Sequence, residues 1–400
     1  MYNIAVAQSG GPTVAINSSL AGVFTQAAKD SNIDIIYGSR NGIEGIINDN
    51  LVNLKDVIKN ESDTELLMHT PASALGSCRF KLKDYSDSED DYLKILNIFQ
   101  KHNIHAFFYI GGNDSMDTVY KLDKYFKEKN IDIKVIGVPK TVDNDLPLTD
   151  HTPGFGSAAK FLAVTLQEIL YDIRVYTIPA VTIVEVMGRD AGWLTAASCL
   201  IRANGETAPH LIYLPESTFS PEKYLEDVKK AVELHTAVLV VVSEGIHFPG
   251  GTYDTKTDAF GHIQNAGIGK MLENYTKENL KCKVRSIELN LPQRCASHTA
   301  SLTDLKEAKL AGEAAVLACT KENKSGVMIA FTRVSNTPYK IEITDVPVGK
   351  VANKERKFPV EWITKEGNDV TNDALNFFLP LIQGEPKLEY KNGIPVYFKI

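Results

Sequence analysis

Short apolar runs alternate with amphipathic stretches along most of this chain. Ile4 to Ala7 is a strand-like run that stops at Ser9-Gly10-Gly11. The stretch that follows places Leu20, Val23, Phe24 and Ala27 at helical spacing, and Pro12 suits the first turn of that helix. Ile33 to Tyr37 reads as the next strand, and 48–66 as loop plus helix. A helix is expected over 84–103, with Tyr92, Leu93, Leu96 and Phe99 on its apolar face. Ala106 to Ile110 is a strand ending in a second Gly-Gly pair, and Val135 to Val138 is a strand ending at Pro139. A helix over 158–173 shows Leu162, Leu166, Ile169 and Ile173.

A second series then begins. Ala180 to Val186, Leu211 to Leu214 and Val238 to Val242 read as strands, with an amphipathic helix over 221–235. Residues 246–267 are rich in Gly, Thr and Asp and read as a loop, followed by a helix at 268–279 and a strand from Val284 to Leu289. The pattern predicts a helix over 304–320 opened by Asp304 as its cap, then strands at Val327 to Thr332 and Ile341 to Val346. Alternating strands and helices imply parallel sheets covered by helices on both faces. The expected fold is α/β: two doubly wound, Rossmann-like lobes with the active site in the cleft between them, plus a C-terminal extension. The expected domains are 1–150 with part of 290–325, then 151–290, then 326–400.

Composition narrows the classes. The chain has 400 residues, 44% of them hydrophobic, and a net charge of −7. That size calls for more than one domain, and that charge argues against bulk binding to a nucleic-acid backbone. Five scattered cysteines with no CxxC pair suggest reduced thiols in a cytoplasmic protein rather than a disulfide or zinc framework. Neither a signal peptide nor an apolar run of roughly 18 residues is visible, so no membrane association is expected.

Candidate chemistry collects at the ends of strands, where open α/β sheets bind ligands. After Pro139 come Lys140, Thr141, Asp143, Asn144 and Asp145. A carboxylate there can serve as a general base and a second can hold Mg2+, although the same residues also suit an Asp/Asn-rich turn. Gly10-Gly11 and Gly111-Gly112 each precede polar residues that open a helix, an arrangement that admits a phosphate and equally fits an ordinary capping turn. Asn113, Asp114 and Ser115 add side-chain oxygens, and Arg79 could clamp a phosphate. Met187, Gly188 and Arg189, then Glu244, then Arg285 and Arg294 continue the series. Taken singly, each is as well explained by structure; together they favour a phosphorylated, hydroxyl-bearing ligand.

The ordered segments GGPTVAIN, SCRF, GGNDS, PKTVDND, EVMGR, SEG and the QR pair at 293–294 resemble the phosphofructokinase family. The resemblance implies a Mg2+-dependent transfer to the 1-hydroxyl of fructose 6-phosphate. Asp143 would be the base, and Thr141 and Arg189 would stabilise the phosphoryl group in flight. Gly11, Arg79, Asp114, Ser115 and Lys140 would hold the donor, and Asp114 and Asp145 the metal. Thr141, Asp143, Asp145, Met187, Gly188, Arg189, Glu244 and Arg294 would face the sugar phosphate, with Arg285 reaching it from a neighbouring subunit of a homodimer or homotetramer. ATP-using members typically carry glycine where this chain has Asp114 and Lys140. A carboxylate at 114 crowds and repels the ATP α-phosphate, and an ammonium at 140 neutralises a short polyphosphate, so the expected donor is pyrophosphate. An ATP-dependent enzyme is the first alternative; a non-catalytic sugar-phosphate sensor, a lipid or NAD kinase, and a related sugar such as sedoheptulose 7-phosphate are others.

The chain departs from the family pattern in places. Asn113 stands where a Mg2+-assisting aspartate is usual, Ala180 where a phosphate-binding arginine is usual, and Leu291 where a sugar-site histidine is usual. Ala21 and Thr25 replace arginines of allosteric members, which implies weak nucleotide regulation.

Overall fold

The structure, a computed structural model, describes residues 1–249 and 267–400. The expected loop at 246–267 therefore lies largely outside the described residues. Among those described, eleven strands form two large sheets, and Tyr390–Lys391 pairs with Ile394–Pro395 in a separate small hairpin. The eleven are β1 (Tyr2–Gln8), β2 (Ile33–Ser39), β3 (Leu51–Asn53), β4 (Ile104–Gly111), β5 (Lys134–Pro139), β6 (Ala180–Val186), β7 (Leu211–Tyr213), β8 (Ala237–Ser243), β9 (Lys283–Glu288), β10 (Val327–Asn336) and β11 (Tyr339–Pro347). The first sheet runs β11-β10-β5-β4-β1-β2-β3 and the second β7-β8-β6-β9. Pairing in these two sheets is parallel except at β2/β3 and β10/β11. In the first sheet the strand order reverses beside β1, which opens a crevice between the carboxyl ends of β1 and β4. The two Gly-Gly pairs stand on either side of it.

Both sheets are buried on two faces, as their uninterrupted apolar runs require. Ile4, Val6, Ala106, Phe108 and Ile136 face one core of the first sheet, and Ala5, Ala7, Phe107, Tyr109 and Val135 the other. The second sheet is packed in the same way, by Val184, Leu239 and Val241 on one side and by Val181, Ile183 and Val240 on the other.

The helix Leu302–Thr320 returns to the first lobe and packs along the helix Ile16–Ala28. The two backbones touch where glycine faces glycine. A Cβ on Gly312 would lie 2.1 Å from the Ser19 carbonyl oxygen, and one on Gly22 would lie 2.0 Å from that of Lys309. Residues 326–400 begin by adding β10 and β11 to the first sheet. They then cross to the second lobe, where Phe358, Trp362, Phe377 and Phe378 cluster around Trp193.

Several expectations need correction. The first helix starts at Ile16, so Pro12 precedes it: Gly10 turns the chain with φ +75, and Thr13 and Val14 are buried in an irregular approach. The helix expected over 84–103 spans Asp90–Lys101. Its buried face is Tyr92, Ile95 and Phe99, while Leu93 is 44% exposed because it falls about one position out of phase with that stripe. Asp304 does not cap its helix. Ser301 does, accepting from the Asp304 N–H, and the Asp304 carboxylate instead accepts from the Gly154 and Ser157 amides at 2.9 Å each. The strand β3 falls within the stretch expected to be loop plus helix, because three residues are too few to show a period.

Candidate active site

A cleft of about 560 Å³ lies between the lobes and is lined by the carboxyl ends of β1, β4, β5, β6 and β8. It gathers Gly11, Arg79, Asp114, Ser115, Lys140, Thr141, Asp143, Asp145, Met187, Arg189, Glu244 and Arg294. These residues are scattered over most of the chain, and the parallel sheets bring them to one edge.

On the first-lobe wall, Lys140 leaves β5 and turns its ammonium under the first glycine pair. Its Nζ donates to the Gly11 carbonyl at 2.7 Å, and its side chain is buried. A Cβ on Gly10 would sit 3.3 Å from that Nζ, and one on Gly11 would sit 3.2 Å from Arg294 Nη1. The glycines thus let two cations approach the backbone turn. Burial drives the Lys140 pKa down to about 8, against the pull of Asp143 and Asp145. Asp114 and Ser115 stand in the first turn of the helix Asn113–Glu128, where the helix dipole favours negative charge. Gly111 is required by crowding: a Cβ there would fall 2.0 Å from Ser115 Oγ.

The central loop carries the carboxylates. The Asp143 N–H donates to Thr141 Oγ1 at 3.1 Å. Asn144 takes a left-handed φ of 54, and its Oδ1 accepts from the Thr152 N–H at 3.0 Å, which sends the flanking aspartates into the cleft. Burial raises the Asp143 pKa, opposed by Arg189, Lys140 and the Thr141 hydroxyl. Burial, reinforced by the Asp143 charge, raises Asp145 to about 7. The Asp145 Oδ1 is buried without a hydrogen-bond partner.

On the opposite wall, Gly188 has φ +129 and its N–H donates to Glu244 Oε1 at 3.2 Å. The Met187 N–H donates to Gln293 Oε1 at 3.2 Å. Burial raises Glu244 to about 7, against the Gly188 amide that holds it. Three crowded carboxyls and three cations, Lys140, Arg189 and Arg294, therefore share one partly dehydrated space.

Not every expected residue faces this cleft. Gly188 acts from behind through its N–H. Arg285 stands mid-strand on β9 opposite Thr182 and does not line the cleft of its own chain. Ala180 begins β6 opposite Ala237 and Lys283, and Leu291 is 54% exposed. Ala21 is fully buried, which leaves no room there for an arginine side chain.

Other lining residues had been assigned no role. Ser9, Phe80, Lys81, Asn353 and Glu355 also face the cleft. Asn353 and Glu355 lie far downstream, after β11 and Gly349, in a polar run that matches none of the motifs above. Asn113 is engaged on both sides of its amide: Oδ1 accepts from the Asn353 N–H at 2.6 Å, and Nδ2 donates to the Lys354 carbonyl.

The phosphofructokinase family profile matches residues 3–319. A protein of Methylococcus capsulatus named pyrophosphate--fructose 6-phosphate 1-phosphotransferase is 38% identical over 99% of this chain and 95% of its own length. The crystal structure of a pyrophosphate-dependent phosphofructokinase from Marinobacter aquaeolei superposes with a TM-score of 0.88 at 37% identity, covering 100% of this chain and 96% of that one. One from Nitrosospira multiformis gives 0.90 at 36% identity, covering 99% and 95%. With these matches running almost from end to end, the chain belongs to the phosphofructokinase family.

Proposed function

We propose that this chain reversibly transfers a phosphoryl group from pyrophosphate to the 1-hydroxyl of fructose 6-phosphate, giving fructose 1,6-bisphosphate and phosphate. The observation that carries the donor assignment is the buried Lys140 ammonium, held 2.7 Å from the Gly11 carbonyl in the same cleft as Asp114. A glycine pair alone would admit a nucleotide; with a cation on its floor and a carboxylate at its rim, the pocket suits two linked phosphates.

Asp143 takes the proton from the sugar hydroxyl as its oxygen forms the new bond to phosphorus, and the bridging P–O bond breaks to release phosphate. Burial raises its pKa and so makes its carboxylate a stronger base than that of an exposed aspartate. Thr141 and Arg189 face the group in transfer, Gly11, Arg79, Ser115 and Lys140 hold the donor, and Met187, Glu244 and Arg294 orient the sugar phosphate. Phosphoryl transfer depends mainly on positioning and charge neutralisation, which this inventory supplies.

Mg2+ bound with the donor would neutralise phosphate charge. Asp145 fits that task, since its Oδ1 is buried and has no hydrogen-bond partner. Asp114 is the second candidate. Asn113 is not one, because its amide is taken by residues 353 and 354. Among the described residues no three His, Cys, Asp or Glu converge on one point. The protein would thus supply at most one or two carboxylates to the ion, which suits a Mg2+ carried in with the phosphates of a donor.

We divide the chain into a donor lobe, 1–150 with part of 290–325 and extended by β10 and β11, a sugar lobe over 151–290, and the remaining C-terminal segment. We further propose a homodimer or homotetramer in which Arg285 serves the neighbouring copy's sugar phosphate. A cytoplasmic setting suits the unpaired cysteines, and no helix among the described residues is long and apolar enough to cross a membrane.

The test follows fructose 1,6-bisphosphate formation from fructose 6-phosphate and Mg2+ with either pyrophosphate or ATP at equal concentration. Turnover with pyrophosphate and little with ATP is expected. The reverse would make this an ATP-dependent enzyme, and turnover with neither would return the non-catalytic sensor.

A further inference from the structure

Five consecutive residues of the C-terminal segment, Asn353 to Lys357, include partners of the helix Asn113–Glu128, of the loop that carries Asp143 and Asp145, and of the segment after Arg189. Asn353 is bound by Asn113 at the start of the donor-side helix, and its own Nδ2 donates to Asp117 at 2.8 Å. The Arg356 N–H donates to the Asp145 carbonyl at 2.7 Å. The Arg356 guanidinium then donates to three further carbonyls of the same loop: Asn144 at 2.9 Å, Thr149 at 2.6 Å and Asp150 at 2.7 Å. It lies 4.2 Å from the centre of the Trp193 ring, and the Trp193 indole N–H donates back to the Arg356 carbonyl at 3.0 Å. Lys357 donates to the Asp190 carbonyl at 2.6 Å, next to Arg189.

The loop from 141 to 150 needs such a partner. It has left-handed φ values at Asn144 and Leu148, so its carbonyls do not point into a sheet or helix ladder. Buried backbone carbonyls must find donors somewhere. A planar guanidinium reaches several diverging carbonyls at once, which a lysine ammonium of the same charge cannot match. Asp150 is fixed in turn by Arg333, whose Nη2 donates to it at 2.8 Å, and by His151 at 2.9 Å. Arg356 therefore grips a braced loop with one end and the sugar-lobe segment after Arg189 with the other.

We propose that Arg356 is a positioning residue for phosphoryl transfer, setting the placement of Asp143 and Asp145 in the donor lobe against Arg189 in the sugar lobe. It touches no substrate itself. A misplacement of about 1 Å costs roughly 100-fold in such reactions, so loosening this grip acts on kcat. The inference rests on reading this cleft as the phosphoryl-transfer site.

The test compares the full-length protein with Arg356→Lys and Arg356→Ala. Arg356→Lys keeps charge and stem; its kcat is expected to fall about 30- to 100-fold while KM for both substrates stays within about threefold. In Arg356→Ala, added methylguanidinium is expected to raise kcat about tenfold or more. If the alanine variant fails to fold, amide exchange in Arg356→Lys decides, with faster exchange expected over 144–150 and unchanged exchange in β4. A kcat for Arg356→Lys within twofold of the unsubstituted protein overturns the proposal. So does a loss matched by an equal drop in the fraction of protein that binds fructose 6-phosphate, which would mark a folding defect. Should the phosphoryl-transfer reading itself be wrong, the unsubstituted protein turns over neither donor, an outcome distinct from both.

Discussion

Removing the charge on Lys140 has a consequence that can be worked out in sign and size. Its ammonium sits under the Gly10-Gly11 turn and is fully buried, and that burial holds its pKa at about 8 in the free protein, below the ordinary 10.5. A bound polyanion favours the protonated form and pushes the pKa back up. For a group protonated in the complex, affinity is complete below the free-state pKa. It is lost about tenfold per pH unit above that value, until the pKa of the complex is reached. With a free-state value of about 8, pyrophosphate binds roughly 30-fold more weakly at pH 9.5 than at pH 7.

Lys140→Met abolishes the effect and the charge together. An ion pair in a partly dehydrated site contributes on the order of 3 kcal/mol, so KM for pyrophosphate should rise about 100-fold at pH 7. The assay is the pyrophosphate KM of both proteins from pH 7 to 9.5 at saturating Mg2+ and fructose 6-phosphate. Ionisation of pyrophosphate itself cancels in the ratio of the two. That ratio should shrink from about 100 to a few-fold as pH rises. A ratio constant across the range would mean that Lys140 does not titrate there or does not meet the donor.

Three other predictions are independent of the donor. Asp143→Asn should lower kcat by about 1000-fold or more with little change in either KM, as expected for loss of a general base; a KM effect alone would move the base elsewhere. His151 lies between Asp150 and Glu307; burial favours its neutral form, but the two carboxylates outweigh burial and lift its pKa to about 9 from 6.5. Its contribution, on the order of 3 kcal/mol, is present below pH 6.5 and lost as pH rises through about 9. The melting-temperature gap between the unsubstituted protein and His151→Gln should therefore narrow over that window, and a constant gap would refute the charge state. Gly312→Ala drives a Cβ to 2.1 Å from the Ser19 carbonyl oxygen, so denaturant unfolding should show a loss of about 3 kcal/mol, against a negligible change if the helices simply part.

Much of this was legible in the sequence because the fold writes it locally. A buried parallel strand is a short apolar run, and its carboxyl end is where Gly-Gly, PKTVDND, MGR and SEG begin. The strand ends alone did not identify a ligand; the ordered series of motifs did. What escaped has no local signature. Arg356 acts on the 144–150 loop and Asn353 on the helix Asn113–Glu128, both far removed in sequence, and a polar run such as Asn353 to Lys357 looks the same whether it is solvated or clamped. The helix start at Ile16 was misplaced because Pro12 is compatible with a first turn but does not compel one. Asp304 looked like a cap because aspartate near a helix start usually is one, yet Ser301 took that role and freed its carboxylate for Gly154 and Ser157.

The donor assignment rests on two side chains, and exchanging both tests it most directly. In Asp114→Gly combined with Lys140→Gly, kcat/KM should be measured for ATP and for pyrophosphate at fixed Mg2+ and fructose 6-phosphate. The ATP-to-pyrophosphate ratio is expected to rise by about tenfold or more, since a like-charge clash and a counter-charge are each on the order of 1 kcal/mol or larger in such a site. A ratio that stays where it is in the unsubstituted protein would contradict the account.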